Sequence, residues 1–113
     1  MGNTLGLPGQ MPAFQLEQDE RHPPYMVTFE QTDGSSVSFS YQDLRSVRYD
    51  PAGLIRLRFA ADNVVLHGRN LLSVWSALRS RRVRLMRARG AEASTDHEPH
   101  IESITIMPAS RLE

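Results

Sequence analysis

Cysteine and lysine are both absent from the 113-residue chain. Without cysteine the protein has no disulfide bond, no zinc–thiolate site and no cysteine nucleophile, and this absence is compatible with a reducing compartment. Long apolar runs are missing too, since no stretch approaches the roughly 18 residues that a membrane-spanning helix needs. No basic segment followed by an apolar one resembles a signal peptide. We therefore expect a cytoplasmic protein with no membrane partner.

Positive charge is supplied by arginine alone, and it is unevenly distributed although the formal net charge is zero. Residues 1–44 carry one arginine and six acidic residues, a net charge of −5. Residues 45–89 carry eleven arginines and two acidic residues, a net charge of +9, and residues 90–113 carry one arginine and five acidic residues, a net charge of −4. A basic centre thus lies between acidic flanks. That arrangement favours an acidic partner, a phosphate-bearing partner or self-association.

The length is that of one domain, and the periodic apolar pattern occupies only part of it. Residues 1–23 contain recurring glycine and proline but no apolar periodicity, so they are predicted to form a flexible arm. Residues 24–108 are predicted to form a single α+β domain. Residues 109–113 are predicted to be a tail that ends in Leu112 and Glu113, a pair that often remains after cloning.

Alternating apolar residues predict a meander of five strands within residues 24–68. In "YMVTFEQT" and "SSVSFSY" the apolar side chains alternate with polar ones, and Asp33-Gly34 between them predicts a two-residue hairpin turn. A third strand is predicted around Val47 and Tyr49. The "DPAG" turn at residues 50–53 leads into a fourth strand, "LIRLRFA", and "VVLHG" is predicted to be the fifth.

Residues 70–81 are predicted to form one helix, because Leu71, Val74, Trp75 and Leu78 follow helical spacing and Asn70 is a good N-cap. Two further strands are predicted in "RVRLMRA" and "IESITIM". The predicted fold is therefore an antiparallel sheet, or a small roll, in which a five-strand meander precedes one helix and two strands.

The candidate interaction site is the set of arginines that the strand pattern places outward. Six arginines lie within "LRSRRVRLMRARG", residues 78–90, and two more alternate with apolar residues in the fourth strand. If the fourth and sixth strands are neighbours, four of these side chains share one sheet face, with Arg69 near a separate helix start. The candidates for protein or phosphate binding are Arg56, Arg58, Arg82, Arg84 and Arg69.

Three interpretations of these arginines remain open. Helix ends and outward strand faces commonly carry charge with no ligand at all. A basic face can also neutralise phosphates, but the aromatic residues fall on inward positions, so this face would lack a platform for base stacking. Finally, a basic surface and acidic flanks on one chain favour binding to an acidic protein or to a second copy.

Evidence for catalysis or metal binding is weak. "TDHEPH", residues 95–100, holds four possible ligands, but Pro99 prevents the helix that an H-E-x-x-H site requires. "HGRN", residues 67–70, brings a glycine to a predicted helix start, which favours anions, yet it lacks a glycine-rich phosphate loop. No catalytic residue, no metal site and no cofactor is predicted.

The sequence predicts a non-enzymatic, bacterial interaction domain that binds a protein or associates with itself, with a homo-oligomer as one outcome. The alternative function is a sequence-tolerant nucleic-acid-binding module that uses an arginine-rich sheet face.

Overall fold

The computed structural model describes residues 13–19, 21–91 and 98–109. In these residues the chain forms eight strands and one α-helix. The strands are β1 (Phe14–Leu16), β2 (Met26–Glu30), β3 (Ser36–Ser40), β4 (Leu44–Asp50), β5 (Leu54–Phe59), β6 (Asp62–Arg69), β7 (Val83–Arg87) and β8 (His100–Pro108), and the helix is α1 (Leu72–Arg79). The predicted α+β class, with one helix between a run of strands and a final pair, is confirmed.

The strands form two four-stranded sheets. Sheet I has the order β1-β7-β2-β3, and sheet II has the order β4-β5-β6-β8. All neighbours in sheet II are antiparallel, whereas in sheet I the β2–β7 pair is parallel. The meander is divided between the sheets, because a short 3-10 turn at Tyr41–Asp43 carries the chain from β3 to β4.

Part of the predicted N-terminal arm belongs to the sheet. Residues Phe14–Leu16 form β1, which pairs antiparallel with β7, and the neighbouring Ala13 is buried. The predicted flexible arm is therefore wrong for residues 13–16, because backbone pairing with β7 supplies order that apolar periodicity does not show. Residues 1–12 and 110–113, which include most of the arm and most of the tail, lie outside the described residues.

Both hairpin loops have three residues and end in a glycine with positive φ. In the first, Gln31 N–H donates to Ser35 O at 2.7 Å and Gly34 has φ 90°. In the second, Gly53 N–H donates to Asp50 O at 3.0 Å and Gly53 has φ 107°. A type I turn followed by a left-handed residue is the usual three-residue connection. The predicted two-residue turn at Asp33-Gly34 is therefore wrong, since positive φ is needed at the glycine alone.

The helix is shorter than predicted at both ends. Its N-cap is Leu71, with no side-chain cap, and Asn70 precedes it with a left-handed φ of 57°. The Asn70 amide instead donates to Glu98 O at 3.1 Å. At the other end Arg81 takes φ 60°, and its N–H donates to Leu78 O. The prediction of Asn70 as the N-cap is wrong because this side chain fastens the helix start to the segment before β8. No helix of the described residues is long and apolar enough to cross a membrane.

The core lies between the inner faces of the two sheets, and three phenylalanines join them. Phe29 and Phe39 come from sheet I, and Phe59 comes from sheet II. The ring of Phe39 stacks on that of Phe59 with centroids 4.6 Å apart, and Phe29 meets both rings edge-on. Such ring pairs contribute about 0.5–1.5 kcal/mol beyond their buried area. Three of the aromatic residues predicted to face inward therefore connect the two sheets. The same prediction is wrong for Tyr25, which precedes β2 and is 85% exposed.

A hydrogen bond from Tyr41 ties the turn between β3 and β4 to β7. Its side chain is buried, and its hydroxyl donates to Val83 O of β7 at 2.7 Å. Burial of the phenol raises the pKa of Tyr41 well above its usual value of 10, because the charged form would lose its hydration.

Tyr41→Phe is expected to lower the free energy of unfolding by about 1–2 kcal/mol at neutral pH, since Val83 O loses its buried donor. The native chain should also lose stability with alkali. Because folding raises the pKa of Tyr41, the neutral phenol makes its full contribution to the stability of the fold below about pH 10. This contribution falls as the pH rises further. Urea unfolding at a series of pH values should show a shallower alkaline decline for the variant. Equal declines in both proteins would contradict this role for Tyr41.

Candidate interaction surfaces

The arginine-rich segment 78–90 is tied to the rest of the fold by intramolecular contacts. Arg79 lies over the ring of Trp75, with its guanidinium carbon 4.7 Å from the centroid. Arg87 Nε pairs with Glu30 Oε1 at 2.8 Å across sheet I. Arg89 also has an interaction partner, and its N–H donates to Ile101 O at 2.8 Å. Much of this segment's charge is therefore used within the molecule.

Two further arginines of the segment contact the residue that follows β1. Arg82 Nη2 donates to the backbone oxygen of Glu17, and Arg84 Nε lies 3.6 Å from Glu17 Oε1. Glu17 N–H in turn donates to Arg82 O at 2.8 Å. These contacts hold β1 against β7.

The predicted four-arginine face is divided between the two sheets. Arg56 and Arg58 lie on β5 of sheet II, whereas Arg84 lies on β7 of sheet I and Arg82 immediately precedes it. Since β5 and β7 are not neighbours, the expectation that all four share one sheet face is wrong. The reason is the parallel pairing of β7 with β2, which places β7 in sheet I.

The structure gives Arg56 a different neighbour, Arg48, which lies directly opposite it on β4. Both side chains are exposed. Arg58 lies two residues further along β5, on the same outer face, opposite Ser46. The sequence analysis missed Arg48, although a signal was present. A three-residue loop at residues 51–53 makes Asp50 and Leu54 partners. Two residues further from the loop on each strand, Arg48 and Arg56 must then lie opposite each other.

Arg69 lies apart from this pair, at the end of β6. It lines a cleft of about 300 Å³ between the β4–β5 loop and the start of α1, together with Tyr49, Gly53 and Asn70. Arg69 is exposed and has an intramolecular interaction partner. The cleft is open, and among the described residues none places a buried, unpartnered polar side chain in it.

The segment considered for metal binding is only partly described. Asp96 and His97 lie outside the described residues. His100 is buried, and its Nε2–H donates to Gly90 O at 2.8 Å, so this ring stabilises the start of β8. Glu98 is exposed. Within the described ranges, no three His, Asp or Glu side chains come together as metal ligands.

Strand β3 forms an open edge of sheet I. Tyr41 N–H donates to Tyr25 O, and Gln31 N–H donates to Ser35 O, at the two ends of the β2–β3 ladder. Because bonding direction alternates along a strand, the amides and carbonyls of Ser36 and Ser38 point away from β2. No hydrogen bond of the described residues uses these backbone groups. The open edge of β3 therefore offers unpaired donors and acceptors to another strand.

The other sheet edges of the described residues are short or covered in part. At β4 the indole Nε1–H of Trp75 donates to Val47 O at 3.3 Å, so α1 covers this edge. The first residues of β8 are covered by residues 89–90, whose amides donate to Ile101 O and Glu102 O. Strand β1 has only three residues. Natural sheets restrict edge pairing by such means, and β3 lacks them, since "SVSFS" contains neither charge nor proline.

Comparison with known proteins adds no relationship to this geometry: no protein family, curated protein or solved structure matched the chain. The observed fold is that of an α+β protein with two sheets, and its function must be inferred from its own surfaces.

Proposed function

We propose that the protein is a non-enzymatic interaction domain that associates with a second copy of itself by pairing the two β3 strands. The observation that carries this proposal is the open edge of β3, with the unpaired backbone groups of Ser36 and Ser38. A cytoplasmic location accords with the lack of cysteine.

The composition of β3 favours a second copy as the partner. An antiparallel pair centred on Ser38 places Ser38 opposite its counterpart and Val37 opposite Phe39. No charged side chains oppose each other in this register, and like charges at such positions would destabilise it. Val37 is 37% exposed in the single chain and Phe39 is half-buried, so pairing would bury further apolar surface. Such a two-fold contact closes on itself and yields a dimer.

Replacement of Ser38 by lysine tests the proposal. We expect the native chain to sediment as a dimer and Ser38→Lys to sediment as a monomer, because two positive charges would meet at the two-fold axis. Ser38 is exposed, its amide lies outside the β2–β3 ladder, and the substitution removes only an exposed hydroxyl contact with Thr28 Oγ1, so the fold should persist. Mixing Ser38→Lys with Ser38→Glu should restore dimers, since the charges then attract.

Ser103→Lys is the matched control, because Ser103 is an equally exposed serine on the outer face of sheet II. It adds the same charge away from β3 and should leave the dimer intact. A native chain that stays monomeric at all concentrations would overturn the proposal. Equal dissociation of both lysine variants would do so as well, since it would indicate a general charge effect.

A further inference from the structure

Arg48 and Arg56 form an unusual pair on the outer face of sheet II. They are register partners on β4 and β5, and residues in that relation have Cβ atoms about 4.5–5.5 Å apart. Two like charges placed directly opposite each other destabilise a sheet. Among the described residues, neither side chain makes an ion pair or a hydrogen bond. The pair therefore concentrates positive charge that no described side chain pairs with.

The contrast with the other arginines makes this pair distinctive. Arg84 and Arg87 lie beside Glu17 and Glu30, and Arg79 lies over Trp75. On the same face of β4 and β5 as the pair, the acidic residue is Asp50, two positions beyond Arg48. Asp50 Oδ1 already accepts the amide of Ala52 at 2.9 Å. Asp50 thus caps its own turn, and among the described residues it makes no ion pair with Arg48.

The surroundings of the pair suit a phosphate chain. Ser46 lies in the next row of the same face, opposite Arg58, which is half-buried and has an intramolecular partner. Thr105 lies in the row of Arg56, on the far side of Val65 of β6. A guanidinium keeps its charge at all physiological pH values and donates two parallel hydrogen bonds to a phosphate. A pair of cations with the hydroxyls of Ser46 and Thr105 beside it, spread over two rows, fits a chain of phosphates better than one free anion.

We propose that Arg48 and Arg56 together bind a phosphate of a nucleic-acid backbone that lies across β4 and β5. The described part of this face exposes no aromatic ring, so bases have nothing to stack on and binding is expected to be tolerant of sequence. The inference is independent of dimer formation, because it uses sheet II and leaves the open edge of β3 untouched.

The test is a titration of a fluorescent single-stranded oligonucleotide of mixed sequence at about 50 to 200 mM salt. We expect binding by the native chain and by Ser38→Lys, with affinity that falls steeply with salt. The double variant Arg48→Gln/Arg56→Gln should bind about tenfold more weakly. Its log–log salt slope should be shallower by at least about 0.7, the contribution of one phosphate contact on a single strand.

Arg21→Gln/Arg81→Gln is the matched control, since it removes the same net charge at two exposed arginines outside the candidate set and away from β4 and β5. It should retain nearly native affinity. In the absence of nucleic acid, Arg48→Gln/Arg56→Gln should unfold at the native temperature or slightly above it, because repulsion between the two charges is relieved. This readout separates the loss of a ligand site from a damaged fold.

Three results would overturn the inference. The first is no binding of the native chain at the lowest salt concentration. The second is an equal loss of affinity in both double variants, which would indicate net charge and not a site. The third is equally tight binding of polyglutamate, which would assign the pair to an acidic protein partner instead.

Discussion

Phe59→Ala is expected to lower the free energy of unfolding by about 3–5 kcal/mol, the range for removal of a buried aromatic ring. Phe59 is 1% exposed and contacts Phe29 and Phe39 of the other sheet. Its removal would therefore leave a cavity at the place where the two sheets meet, and it would remove two ring pairs. Urea unfolding followed by the fluorescence of Trp75 measures the change.

Tyr25→Ala provides the control for this effect. Tyr25 lies immediately before β2, the strand of Phe29, and is 85% exposed, so its removal is expected to change stability by less than about 0.5 kcal/mol. Similar losses in the two variants would show that Phe59 does not connect the sheets. A small loss in Phe59→Ala alone would show that the core closes around the missing ring.

Gly68→Ala is expected to destabilise the protein by about 3 kcal/mol or more, because the atoms around the new methyl group belong to the backbone and cannot move aside as a flexible side chain could. A Cβ atom at this position would overlap the backbone oxygen of His100 and approach the Cα atom of Ile101. Gly68 also donates its N–H to Gly53 O at 3.0 Å. The substitution would push β6 and β8 apart at the bulge between His67 and Gly68.

Gly34→Ala separates this steric effect from the conformational freedom of glycine. Gly34 has φ 90° and open space around its Cα, so alanine there meets only the cost of a left-handed backbone, about 1 kcal/mol. Thermal unfolding of both variants should place Gly68→Ala well below Gly34→Ala. If Gly34→Ala unfolds at the same temperature or lower, close packing against β8 is not the reason for glycine at position 68.

Local structure was largely predictable from the sequence. Alternation of apolar and polar residues identified most of the strands, because the two faces of a half-buried strand meet different surroundings. Helical spacing identified α1, and the positions of Gly34 and Gly53 marked the hairpin loops. The helix ends and the loop type were wrong, since they depend on single hydrogen bonds such as that from Asn70 to Glu98.

The assembly of the strands was not predictable in the same way. Three-residue β1 has too few residues for a pattern, and its order comes from pairing with β7 and from Arg82 and Glu17. At the turn where the chain passes from sheet I to sheet II, Tyr41 is held by a hydrogen bond to Val83 O, a partner 42 residues away. No local pattern encodes a contact of that range.

The candidate surfaces show the same division. The sequence by itself placed Arg56 and Arg84 on outward positions, and both are exposed, because side-chain direction alternates along a strand. It also determined that β3 carries no charge. The sequence also contained the pairing of Arg48 with Arg56, since the three-residue loop of the β4–β5 hairpin sets these residues opposite each other. Only the tertiary structure decided that β7 pairs with β2, which separated Arg84 from Arg56 and left β3 at an edge, because this strand order depends on contacts between segments far apart in the chain.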